Sequence, residues 1–163
     1  MKLGLLFLLL IIQSSFLVDK LELENLVFDN SELPGNCKIK VVNRTNRLPC
    51  NAKSNPFISA DSEYIACFVS KFISDTLLIQ KVNRGLFSIY TDGAEIGIFA
   101  VKTDSKSTAE LIKKDVELNN ENMDRSELFL SGSHFIWLWR DKGKNENFNE
   151  IKTMIEKELY TNR

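Results

Sequence analysis

The sequence predicts an α+β protein in which one antiparallel sheet of four or more strands, built from two ββα units, carries its helices on one face. An amphipathic helix and an irregular N-terminal segment precede that sheet. Three observations lead there. β-rich apolar runs at 86–91, 95–103, 127–130 and 134–140 read as strands, and Asp92-Gly93-Ala94 and Ser131-Gly132-Ser133 join them in pairs. Apolar residues at helical spacing follow each pair. A third amphipathic pattern, Ile65, Phe68, Val69, Phe72 and Ile73, comes before the first strand.

The chain opens with Met1 and Lys2, followed by an apolar run from Leu3 to Ile12 interrupted only by Gly4. A run of this length suits the core of a secretory signal and falls short of the roughly 20 apolar residues that cross a bilayer. Residues 1–18 are therefore expected to be a signal peptide, with the mature start between 15 and 20. Phe16, Leu17 and Val18 extend the run, so an uncleaved anchor is the alternative. Cys37 lies too far along to carry a lipid at a mature N-terminus, which favours a secreted or periplasmic protein without stable membrane insertion.

Residues 19–56 are the least periodic, with a turn at Leu33-Pro34-Gly35-Asn36 and one short strand at Ile39–Val42. Asn43-Arg44-Thr45 matches a glycosylation sequon, a frequent coincidence in a chain rich in Asn, Ser and Thr. Export places the three cysteines in an oxidising compartment. The spacing of Cys37 and Cys50 around a short strand and loop suggests a disulfide between them, with Cys67 a buried free thiol; the other two pairings stay open.

The amphipathic helix starts at Ser59 or Asp61, and residues 57–163 are read as the globular domain. Leu77-Leu78-Ile79 suits a strand or a helix, and a helical continuation through 76–82 is favoured. After the first hairpin, Ser107 and Glu110 form a capping box for a helix whose buried stripe is Ala109, Ile112 and Val116. A last helix begins near Asn147, with Phe148, Ile151, Met154, Ile155 and Leu159 on its apolar side. The halves match at an offset of 39 residues, Gly93 on Gly132, Ile89 on Leu128, Ile98 on Trp137 and Phe99 on Leu138, through a shared period or a duplication.

Function is less legible. With 44% hydrophobic residues and 11 Phe among 163, the chain can bury a core without a metal. Its 21 basic and 22 acidic residues are interspersed, which offers no concentrated positive field for nucleic acid. His134 is the sole histidine and Cys-x-x-Cys is absent, so no metal site or cofactor is expected. A Cys67–His134 dyad is outweighed by packing roles. The carboxylates Asp61 with Glu63 and Asp92 with Glu95 suit a helix start and a turn. No glycine loop has the spacing that cradles phosphate.

The strand 134–140 is the most informative segment, because Phe135, Trp137 and Trp139 share one of its faces and Ile136 and Leu138 the other. If one face covers the core, the aromatic face is covered by the N-terminal segment or first helix, or it binds a protein or small ligand. The expected function is an exported, non-catalytic binding or interaction protein, of inhibitor or immunity type among others. A small carboxylate-dependent hydrolase is the alternative. N-terminal sequencing of protein from its native compartment is expected to begin within residues 15–20; retention of Met1 in a cytosolic protein would overturn export.

Overall fold

In the computed structural model, residues 21–42, 48–121 and 123–161 are described. The predicted signal peptide 1–18 and the Asn43 sequon lie outside them. Among the described residues no helix is long and apolar enough to cross a membrane.

Six strands form one antiparallel sheet. They are β1 (Lys38–Ile39), β2 (Phe57–Ser59), β3 (Val82–Thr91), β4 (Glu95–Thr103), β5 (Ser126–Ser131) and β6 (His134–Arg140). The order is β1-β3-β4-β6-β5, with β2 also on β3. Four α-helices, α1 (Ser62–Val69), α2 (Thr76–Ile79), α3 (Lys106–Asn119) and α4 (Glu146–Thr161), complete the described α+β fold.

Side-chain alternation decides the layering. Leu86, Tyr90, Ile96, Ile98, Ala100, Ile136 and Leu138 lie on one face of the sheet, and all are buried. Phe87, Phe99, Val101 and Phe135 lie on the other and are equally buried. A sheet apolar on both sides must be covered twice, because each exposed face would forfeit about 25 cal/mol per Å² of apolar area. The first face receives α4, through Phe148, Ile151, Ile155 and Leu159, together with Leu21, Leu23, Leu26, Phe28 and Leu33 of the N-terminal segment. The second receives α1, α2 and α3. The expectation of helices on one face is thus corrected: they occupy both.

Strand, strand, helix occurs twice in succession, but the equivalence of side chains at an offset of 39 does not carry into three dimensions. Thr91 pairs with Glu95 across a three-residue loop, whereas Ser131 pairs with His134 across only two. One residue of difference inverts every later side chain. Ile98 faces α4 but its offset partner Trp137 faces α3, and Phe99 and Leu138 are exchanged likewise. Gly93 and Gly132 both adopt positive φ, which explains their alignment without a repeat.

Helix starts follow local chemistry. Asp61 accepts from the amides of Glu63 and Tyr64 at α1, Asp75 from Leu77 at α2, and Asn145 from Phe148 at α4. The capping residue of α3 is Ser105, whose hydroxyl accepts from the Thr108 amide at 3.2 Å, two residues before the predicted Ser107 box. The predicted continuation through 76–82 is only the single turn of α2, and β3 begins at Val82 rather than Leu86.

The outer edge of β3 is used from Gly85 to Thr91. β1 pairs with Tyr90 and Thr91, β2 with Gly85, Leu86 and Phe87, and Asn55 spans the gap. Its amide donates to the carbonyls of Lys40 and Ile89 at 2.8 and 2.6 Å, and its oxygen accepts from the Ile89 amide at 2.9 Å.

The cysteine expectation is overturned. The disulfide joins Cys50 to Cys67, and Cys37 is a buried free thiol. Cys37 packs with the α4 face of the sheet, while Cys50 packs with the α1 face, so the sheet separates them. Cys67 sits two residues beyond Ile65, off the Ile65, Phe68, Val69 stripe, and is exposed where Cys50 can reach it. Burial, and then the nearby Asp92 charge, push the Cys37 thiol above its ordinary pKa. Non-reducing peptide mapping should therefore link Cys50 with Cys67, while Cys37 alkylates only after unfolding. With the linked positions 17 residues apart in sequence, replacing both by Ala is expected to cost about 3 kcal/mol in a denaturant titration.

Candidate functional site

β6 lies between β4 and β5, and its aromatic face is covered unevenly. Phe135 is fully buried in the cluster formed with Ala109, Ile112 and Val116 of α3. Trp137 and Trp139 are only half-buried. Their cover is Phe72, from the turn after α1, whose ring centre lies 5.8 Å from Trp137 and 6.0 Å from Trp139. Phe72 also approaches Phe99 at 4.7 Å and Phe87 at 5.5 Å, so one side chain ties α1 to three strands. Trp139 lies against its cross-strand partner Gly97, where any Cβ would collide with the indole.

Where this cover ends, a groove of about 210 Å³ opens, lined by Trp137, Trp139, Asn120, Arg125, Ser126, Arg140 and Asp141. Arg125 donates to the Asp141 carbonyl at 3.0 Å, linking the turn before β5 to the end of β6. Among the described residues the indole N–H of Trp137 is buried without a hydrogen-bond partner, as is Nε of Arg140. A buried donor left without a partner costs about 1–3 kcal/mol and calls for an explanation.

Arg140 is held from behind. Its guanidinium meets Asp92 at 2.9 Å and the Gly143 carbonyl at 2.7 Å, with the two side chains 10% and 1% exposed. Asn145 and Asn147 also donate to Asp92, at 2.7 and 3.0 Å, and the Ala94 amide at 3.2 Å. Burial alone would raise the Asp92 carboxyl, but these donors outweigh it and hold the group well below the usual carboxylate range.

Comparison of the chain with protein-family models, curated proteins and solved structures finds no match. The site is therefore read from its own chemistry.

The carboxylates weighed as catalytic candidates do not converge. Asp61 caps α1, Glu63 stands beside the disulfide, Asp92 is consumed by its ion pair, and Glu95 pairs with Lys40. His134 is buried opposite Lys102, whereas Glu95 lies beyond the Arg140 end of β6. Six residues of strand separate the ends, about 20 Å. Cys67 is engaged in the disulfide, which removes the imagined dyad with His134. Among the described residues no three His, Cys, Asp or Glu side chains gather as a metal site would require.

Sequence reasoning named the two Trp residues but missed Asn120, Arg125 and Asp141, which reach the groove from turns. It also missed Asp92 as the partner of Arg140. A signal existed: Arg140 follows Ile136 and Leu138 on the same face, so its charge points toward the core and needs a buried anion.

Asp92→Asn keeps the shape but leaves the Arg140 charge buried without its counterion. It is expected to cost about 3–5 kcal/mol in a denaturant titration at neutral pH. Because the folded carboxyl is depressed, the pair's stabilisation is complete above the unfolded carboxyl value of about 4. It is lost as pH falls below that toward the folded value. The difference between wild type and Asp92→Asn should therefore shrink in acid; a constant difference would refute the ion pair's role.

Proposed function

We propose that the protein is exported through its N-terminal segment and acts as a non-catalytic binding protein, with its ligand seated against Trp137 and Trp139. The supporting observation is the groove beside the half-buried Trp pair, which combines aromatic surface with Arg125 and Arg140, next to a buried indole N–H of Trp137 that has no hydrogen-bond partner among the described residues. Half-buried aromatic and Arg side chains are the residue types that dominate binding energy. The Cys50–Cys67 disulfide suits an oxidising compartment and so agrees with export. Phe135, the third residue of the aromatic row, is buried beneath α3 and supports the groove without lining it.

The scattered carboxylates give the hydrolase alternative no support from geometry. The test is a nuclear magnetic resonance titration with a set of small aromatic and aliphatic carboxylates, amides and amines. Binders are expected to shift the indole N–H signals of Trp137 and Trp139, and Arg125→Ala should weaken them several-fold while the amide spectrum keeps its folded dispersion. Binding confined to other surfaces, or turnover of simple esters that Asp61→Asn or Glu95→Gln abolishes, would overturn this reading.

A further inference from the structure

We infer that the partner is an extended peptide segment that adds as a seventh strand to the outer edge of β5, placing large apolar side chains four residues apart into two grooves. This rests on the binding reading above and names the partner's chemistry. Asp141 donates to the Glu95 carbonyl at 3.0 Å, and Thr103 to the Ser133 carbonyl at 2.9 Å. Odd-numbered residues of β6 therefore bond toward β4. Its even-numbered residues bond toward β5, where they meet Glu127, Phe129 and Ser131. The amides and carbonyls of Leu128 and Leu130 consequently point away from the sheet. The opposite edge, on β3, is occupied from Gly85 to Thr91 by β1, Asn55 and β2; the β5 edge ends the strand order.

Two grooves flank that edge on the Trp face. Ser126 lines the groove with Trp137 and Trp139, and Leu130 lines a second, of about 330 Å³, with Leu111 and Lys114 of α3. Ser126 and Leu130 are four residues and about 14 Å apart, and residues opposite them on an added strand share their face. Main-chain bonds to Leu128 and Leu130 supply affinity in this mode, and the grooves supply selectivity. Leu111, 47% exposed on the surface of α3, gains a partner. In the second groove Glu110 is engaged by Lys106 at 3.7 Å and Glu117 by Lys113 at 3.1 Å. At the first groove Arg125 has Asp124 at 3.9 Å and Asp141 beside it, and in the second Lys113 and Lys114 face Glu110 and Glu117, so the lining charges balance and the grooves fit an uncharged apolar segment.

A second copy of the chain fits less well. Pairing β5 with itself so that the outward groups bond and Glu127 avoids its own copy centres the pair on Leu128, which sets Ser126 opposite Leu130, or on Phe129, which sets Ser126 opposite Gly132. In the first register the Leu111 groove receives only a serine, and in the second the Trp groove receives no side chain.

The test uses phage-displayed random nonapeptides, panned on the mature protein. Enriched sequences are expected to carry large apolar residues at i and i+4, and the synthetic peptides should shift the Leu128 and Leu130 amide signals. Leu128→Pro removes an outward N–H without touching the bonds to β6, and should weaken binding at least tenfold. Leu111→Asp, on the helix surface, should weaken it at least fivefold and does not depend on β5 tolerating proline. No enrichment, or peptides that bind both variants unchanged, would overturn strand addition. A dimer in sedimentation that Leu111→Asp dissociates would overturn it in favour of the second copy. If small probes still shift the Trp indoles while no peptide is enriched, the groove stands and strand addition falls.

Discussion

The constraint on which the rest depends is that the central strands are apolar on both faces. β4 and β6 bury Ile96, Ile98, Ile136 and Leu138 on one side and Phe99, Val101 and Phe135 on the other. A single helical layer leaves one of those surfaces in water, so the chain must supply two. It does so with unequal material. α4 and the N-terminal segment complete one cover, whereas the other is assembled from α1, α2 and α3, which meet over the sheet with Phe72 between them.

Closing two layers also requires that their ends be fastened. The Asp92–Arg140 pair does this at one corner: it ties the β3–β4 turn to the end of β6, and through Asn145 and Asn147 to the start of α4. Asn147 reaches on to Asn36, so the N-terminal segment joins the same knot at 3.1 Å. A buried ion pair with this many donors contributes less through net stability than through the penalty for any arrangement that leaves one charge alone. The guanidinium of Arg140 is thereby held on the α4 side of the sheet, opposite the face that carries Trp137 and Trp139.

The fold class, the four central strands and the three longer helices were legible in the sequence because each carries its period over several turns or residues. The layering was not. Helix stripes say which side of a helix is apolar and nothing of which sheet face it meets; that depended on the one-residue difference between two hairpin loops. The cysteine pairing failed for a related reason, since Cys37 and Cys50 are near in sequence but lie on opposite sides of the sheet. Trp137 and Trp139 were legible as candidates because alternation assigns them a face. Arg125 and Asn120 were not, because turn residues carry no period.

Why the groove lies at the Trp end follows from where the covers stop. α3 runs over Phe135 through Ala109, Ile112 and Val116 and ends at Asn119, and the next segment turns directly into β5. α1 ends at Val69, so only Phe72 extends over the indoles. Gly97 lets Trp139 settle onto the backbone of β4; a side chain there would lift the ring, disturbing its contacts with Phe72 and Phe87. The indoles are thus held by packing from beneath and from one side and left accessible from the other. Rigid aromatic surface of that kind costs little ordering entropy when a partner binds, so contact area there converts to affinity more efficiently than at a mobile loop. The same strand that must be buried for the sheet to exist therefore presents, at its less covered end, the rigid aromatic surface on which the proposed binding rests.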